Sequence, residues 1–379
     1  MSIVSGLAPV RKPVWNVFTM WGCGHCSQEL VDSDLPVDLA WRFDTYYPLG
    51  GAPAVGNSGV ALVKAGSEIH ALDSKHGQIR WKKKAGSFDE YGVILPYENS
   101  VLLTTLNDSV IWSMDTRDGS LIWQTDLREF VQASAPSLKP EVVHAVYDGV
   151  RLYLVVALSR GTQVLALDPA SGKLMWLGPP ELSTLIGNPD AVSVSNDGLT
   201  MISNQNMIIL DAETGSFLSQ TPLILDSFRP PVLNHGTIYT NGKQARAIDA
   251  TTLQEKWRFE TPCFLPGNQV YPRLLSDKVV YVAPTCGGLY AIDAVDGHVL
   301  WQFSPPSQSS VDAFVVFHGL GYAQTNDAKV YAIDLSTGSV VGKAEFSPSK
   351  TPAADKEALV ANDDLLLLHF GGRSLFAFR

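Results

Sequence analysis

The sequence predicts an all-β chain folded as an eight-bladed β-propeller, closed by an N-terminal strand that completes the C-terminal blade. Three observations predict it. An eleven-residue frame recurs seven times, the copies follow one another at the length of a four-stranded blade, and the two ends of the chain hold complementary parts of an eighth copy.

The frame is Ala-x-Asp-x-x-x-Gly-x-x-x-Trp, complete at Ala71–Trp81, Ala166–Trp176 and Ala291–Trp301. Four copies are worn. Ser113–Trp123 exchanges the alanine, Ala247–Trp257 lacks the glycine, Ala332–Gly342 lacks the tryptophan, and Ile209–Ser219 lacks both alanine and tryptophan. The apolar run before the aspartate is β-prone, Asp-x-x-x-Gly turns the chain, and the run ending in tryptophan returns it antiparallel. Aspartate accepts hydrogen bonds from its own turn, and glycine supplies positive φ. Asp73, Asp115, Asp168, Asp211, Asp249, Asp293 and Asp334 are therefore read as turn residues. Trp81, Trp123, Trp176, Trp257 and Trp301 are read as core. The final frame positions step by 38 to 53 residues, the period of a blade.

Composition agrees. The chain has 379 residues, with 31 Gly and 23 Pro among abundant aliphatics, which suits many short strands and frequent turns. Its formal net charge is −10, and no basic run exceeds Lys82 to Lys84, so nucleic acid is excluded as an expected partner. No segment approaches the roughly 20 apolar residues of a membrane-spanning helix.

Residues 1–36 stand outside the repeat as an N-terminal extension, and residues 37–379 form the propeller. Arg11 and Lys12 precede a short apolar stretch ending before Cys23, which reads as a lipoprotein signal with Cys23 as the lipidated residue; against this, the apolar core is short and holds Asn16. Cys23-Gly24-His25-Cys26 is the sharpest local motif. Two thiolates at this spacing can chelate one zinc or form a redox pair, although no βαβ pattern surrounds them. Cys263 follows the fourth strand of one blade and Cys286 sits in the turn after the second strand of the next, so both open on one face. The Cys23–Cys26 pair enters from the opposite face, but residues 27–38 could span about 40 Å, so a zinc site shared by all four cysteines is geometrically possible. Zinc is the one metal the chain is equipped to consider, and no cofactor is expected.

Leu39–Thr45, LAWRFDT, repeats the ending of a later unit, KWRFET at Lys256–Thr261, and brings Trp41 into the docking position. Ala361–Arg379 supplies strands that lack this partner. Joining them closes the ring and removes exposed edges. The connections from each fourth strand to the next first strand gather on one face, where function is expected.

The frame is similar to the tryptophan-docking motif of the quinoprotein alcohol dehydrogenases and the wider PQQ-like propeller family. The resemblance covers residues 39–379 and implies eight blades. Quinone-binding members carry adjacent cysteines beside the cofactor, and this chain has no Cys-Cys pair. The nearest non-enzymatic resemblance is to the BamB-type outer-membrane assembly scaffolds, which would imply a secreted lipoprotein. The eight histidines show no catalytic or metal-binding spacing, and His235 and His318 precede turn glycines. The expectation is a non-catalytic scaffold that binds protein partners through its loop face in the cytoplasm. The alternatives are an enzyme or small-ligand binder using the same face, and an envelope-anchored lipoprotein.

Overall fold

The computed structural model describes residues 28–379 except 57–58, 85–93, 105–108, 132–139, 159–160, 180–181, 183–190, 196–197, 203–205, 223–231, 235, 241, 262–269, 276–277, 307–308, 348–356 and 371. Eight antiparallel sheets form the blades. From the innermost strand outward, blade 1 is Leu49–Gly56, Val60–Ala65, Glu68–Asp73 and Ile79–Lys84. Blades 2 to 6 repeat this order and end at Leu121–Asp126, Leu174–Leu177, Phe217–Pro222, Glu255–Phe259 and Val299–Phe303. Blade 7 runs Val311–Phe317, Leu320–Thr325, Lys329–Asp334 and Val340–Phe346. Blade 8 has Glu357–Ala361, Leu366–Phe370 and Ser374–Phe378, and takes Leu39–Asp44 as its outermost strand, as the sequence predicts. The innermost strand of blade 8 touches those of blades 1 and 7, which closes the ring.

Each frame spans a third strand, a turn and a fourth strand. In blade 1 the Asp73 carboxylate accepts from the Lys75 and His76 amides at 3.0 Å each, and the Gly77 amide donates to the Asp73 carbonyl at 2.7 Å. Gly77 holds φ 70°, a conformation that costs other residues strain. The frame alanine pairs with the tryptophan across the ladder, Ala71 with Trp81, and a bulge follows immediately. That bulge recurs in every blade at the same place and turns the tryptophan toward the next blade.

The tryptophans dock between blades. Trp41, Trp81, Trp123, Trp176, Trp257 and Trp301 are each at least nine-tenths buried. Each indole N–H donates to the carbonyl just after the next blade's turn aspartate: Ser74, Thr116, Pro169, Ala212, Ala294 and Leu335, at 2.6 to 3.1 Å. Each ring lies over the next turn's glycine where one is present. The seam between blades 4 and 5 shows why two copies are worn together. Ser219 replaces the tryptophan of blade 4, and the facing turn of blade 5 carries Leu253, at φ 56°, in place of the glycine. Leu253 packs with Ile202, Met207 and Ile238. The filling side chain comes from the opposite wall of the seam.

One feature departs from the sequence reading. Residues 28–36 are part of the folded body, because Leu30–Ser33 adds a fifth strand to the outer edge of blade 7, antiparallel to Val340–Phe346. Gln28 begins this segment buried between Ser347 and Ser374. A four-residue run with one apolar pair carries too little pattern to announce a strand.

Candidate interaction face

Antiparallel strands place the turns between first and second strands, and the Asp-x-x-x-Gly turns, on one face. The turns between second and third strands and the connections between blades lie on the other. On the first face the repeat aspartates are occupied by their own turns. Arg80 beside Asp73 holds its carboxyl at about 2, and the Thr252 amide and hydroxyl hold Asp249 at about 2. Arg117 lowers Asp115, the Ser171 hydroxyl lowers Asp168, the Thr214 hydroxyl lowers Asp211 and the Ser336 hydroxyl lowers Asp334. Asp293 accepts from the Val295 amide at 2.8 Å. All seven accept hydrogen bonds within their own turns, a structural role.

On the second face, the connection from blade 8 to blade 1 presents two adjacent tyrosines. Tyr46 is 74% exposed and Tyr47 50%, with their rings edge to face at 5.1 Å. The Thr45 amide donates to the Arg373 carbonyl, and the Arg373 guanidinium sits 5.5 Å from the Tyr46 ring centre. Tyr47 lies over Gly66, whose φ of 59° leaves no room for a side chain beneath the ring. Exposed tyrosine and arginine side by side are residue types enriched at protein interfaces. Sequence reading passed over it because Thr45-Tyr46-Tyr47-Pro48 continues the β-rich run of the preceding strand. The Pro48 that ends that run was the available signal.

The cysteine reading is tested only at Cys286, which is half-buried with its sulfur 3.8 Å from the Thr261 hydroxyl. Thr261 ends blade 5, so the end of one blade and the second turn of the next do open on one face. Cys23, Cys26 and Cys263 lie outside the described residues. Gln28 sits beside Ser347 and Gly372 on the face of Cys286, which corrects the expected approach from the opposite face. His318 is an exposed turn residue at φ 48°, its Nε2 3.0 Å from the Asp363 carbonyl, and His235 lies outside the described residues. Asp293, Asp296 and His298 bring three ligand atoms within 4.8 Å of one another at an exposed turn. His298 is raised by its hydrogen bond to Asp296, which engages the nitrogen facing that carboxylate.

Among the described residues, no helix is long and apolar enough to cross a membrane. The chain is 24% identical over 303 residues to the serine/threonine-protein kinase AfsK of Streptomyces coelicolor, covering 74% of this chain and 33% of the kinase. It is 22% identical over 281 residues to the outer membrane protein assembly factor BamB of Yersinia pestis, covering 68% of each. The chain thus spans a third of the length of the first of these relatives. A quinohemoprotein alcohol dehydrogenase, ADHIIG, from Pseudomonas putida HK5 superposes with a TM-score of 0.61 at 13% identity, covering 90% of this chain and 76% of the other, a likeness of fold. The profile of the family described as outer membrane protein assembly factor BamB matches residues 38–259 and 244–379. With a repeat frame, eight blades and a profile that together run from the closing strand to the last residue, the chain belongs to that PQQ-like propeller family.

Proposed function

We propose that this protein is a non-catalytic scaffold that binds a protein partner through the face formed by the blade connections, with Tyr46 and Tyr47 as anchors. The observation that carries the reading is the exposed tyrosine pair, with Tyr47 seated over Gly66 and Tyr46 beside the Arg373 guanidinium. Tyrosine supplies a large amphipathic contact surface with only two side-chain torsions to order on binding. The turn aspartates of the other face are occupied by their own backbone, which supports a structural role for the motif that recurs most often.

The test is affinity capture with the intact chain and with Tyr46→Ala/Tyr47→Ala, read by mass spectrometry, with partner affinity then measured on purified components. The double variant should bind at least about tenfold more weakly, as removing interface hot spots does. Equal affinity for both chains would remove the tyrosine ledge as the site.

A second reading has its own support in the family match. A relative named as an outer membrane protein assembly factor favours an envelope location over the cytoplasm, with Cys23 as the lipidated residue. Mass measurement of the N-terminal peptide from the native host decides it. A lipidated Cys23 places the scaffold at a membrane, and an unmodified peptide retaining Met1 leaves it cytoplasmic.

A further inference from the structure

The seam between blades 7 and 8 is built unlike the other seams. Blade 7 carries Gly342 at the docking position, and blade 8 has no continuous turn to receive an indole. Its third strand ends at the C-terminus, and its fourth strand enters at Asp38, with the break closed by Asp38 and Arg379 exchanging backbone hydrogen bonds at 2.8 and 3.0 Å. Residues 34–36 run across the gap. A Cβ on Gly342 would fall 2.6 Å from the Asp34 carbonyl oxygen and 3.0 Å from Pro36 Cδ, so the missing side chain makes room for this crossing.

The crossing segment is stitched to both blades. The Gln28 amide donates to the Ser374 hydroxyl of blade 8 and its side-chain amide to the Ser347 carbonyl beyond blade 7. Glu29 and Ser347 exchange two further bonds, the Asp34 amide donates to the Lys343 carbonyl, and Leu35 is buried among side chains of both blades. Between these anchors, Leu30–Ser33 buries no side chain, and Val31 is 60% exposed. Its ladder with Val340–Phe346 holds it, and Leu30 alone of its apolar side chains packs on the core of blades 7 and 8.

A second observation marks the same seam. Five buried side-chain polar atoms have no hydrogen-bond partner among the described residues, and three of them are here: Gln28 Oε1, the Tyr322 hydroxyl and Gln324 Oε1. Tyr153 shows what Tyr322 lacks. Both occupy the same position in the second strand, but the Tyr153 hydroxyl has two acceptors in reach, the Asp148 carboxylate of its own blade at 2.6 Å and, at 3.1 Å, the Ala212 carbonyl in the next blade's turn that Trp176 also uses. Tyr322 has neither acceptor among the described residues.

We propose that residues 28–36 form a strap that substitutes for the missing tryptophan dock, and that the ring opens first at the seam between blades 7 and 8 when the strap lifts. Opening there separates no indole from a turn and releases buried polar atoms that the closed seam leaves unpaired. At the tryptophan-docked seams an opening breaks an indole hydrogen bond and uncovers the ring.

Thiol trapping in the full-length chain tests it at matched positions. Ala332 faces the strapped seam, and Ala291 is its frame equivalent at the docked seam between blades 6 and 7; both are fully buried. Ala332→Cys and Ala291→Cys are each exposed to an alkylating reagent under native conditions, and modification is read by peptide mass mapping, which separates the new thiol from the native ones. The thiol at position 332 should react about tenfold faster than the one at 291, and adding Gly342→Ala should raise the rate at 332 by about tenfold again without changing 291, as local opening predicts. Equal rates at the two positions overturn the proposal. So does an unchanged rate at 332 in a Gly342→Ala chain that keeps its native circular dichroism; should that variant fail to fold, the unsubstituted comparison decides alone.

Discussion

Trp301 lies flat over Gly338, with ring atoms 2.8 Å from where a Cβ on the glycine would be, while its indole N–H donates to the Leu335 carbonyl at 2.6 Å. The contact joins blade 6 to the turn of blade 7. Trp301→Ala removes both the burial and the bond, and should lower stability by roughly 3 to 5 kcal/mol. Denaturant unfolding against the exposed control Lys75→Ala checks it, and similar midpoints would contradict interblade docking.

The glycine side of the couple is separable from its backbone conformation. Gly338 and Gly236 hold φ near 70°, at 73° and 67°, but a Cβ on Gly236 would meet nothing within 4 Å. Both changes to alanine carry the cost of positive φ. Only Gly338→Ala also displaces an indole, so its excess destabilisation should be about 1 to 3 kcal/mol. Equal losses would mean that the ring moves aside freely.

Ser219 and Leu253 should behave as one unit. Ser219→Trp alone drives an indole against the leucine, and Leu253→Gly alone empties part of the seam beside Ile202 and Ile238. The double variant restores the arrangement of the other docked seams and should exceed the sum of the singles by about 1 kcal/mol or more. A double-mutant cycle closing to zero would show that the two positions are unrelated.

Acid should loosen the turns in a defined window. The Asp73 and Asp249 carboxyls sit at about 2, below the roughly 3.9 of an unfolded aspartate. A depressed folded value means that the stabilisation is fully present above the unfolded value and is lost as pH falls through the folded one. Melting temperature should therefore drop between about pH 4 and pH 2, and Asp73→Asn should flatten that decline. An unchanged acid limb would assign the loss to other carboxylates.

The sequence made the fold legible because the frame repeats within each copy, where spacing alone fixes strand, turn and strand. Trp41 and the closing strand were legible for the same reason, as a fragment of a known unit. What stayed hidden lies between copies. Ser219 and Leu253 each read as a worn position, and only their meeting across a seam makes them a pair. Gly342 likewise read as a lost tryptophan until residues 34–36 were seen crossing it. The Tyr46–Tyr47 ledge had one local signal, the Pro48 that ends the β-rich run, while its contacts with Gly66 and Arg373 are long-range and no local pattern encodes them.

The docking geometry also determines how such a ring can change its number of blades. Six of the eight blades carry the indole for the blade after them, and each of those indoles meets a turn there. A duplicated copy that has both indole and turn glycine thus arrives with half of each of two contacts, and both halves find their complements. Excising a whole copy leaves matched halves in the same way. A cut between the third strand and the tryptophan separates two contacts at once, which makes the frame itself the unit of safe exchange. The two couples that break this rule, Ser219 with Leu253 and Gly342 with the strap, are junctions at which a transplanted blade would meet the wrong neighbour.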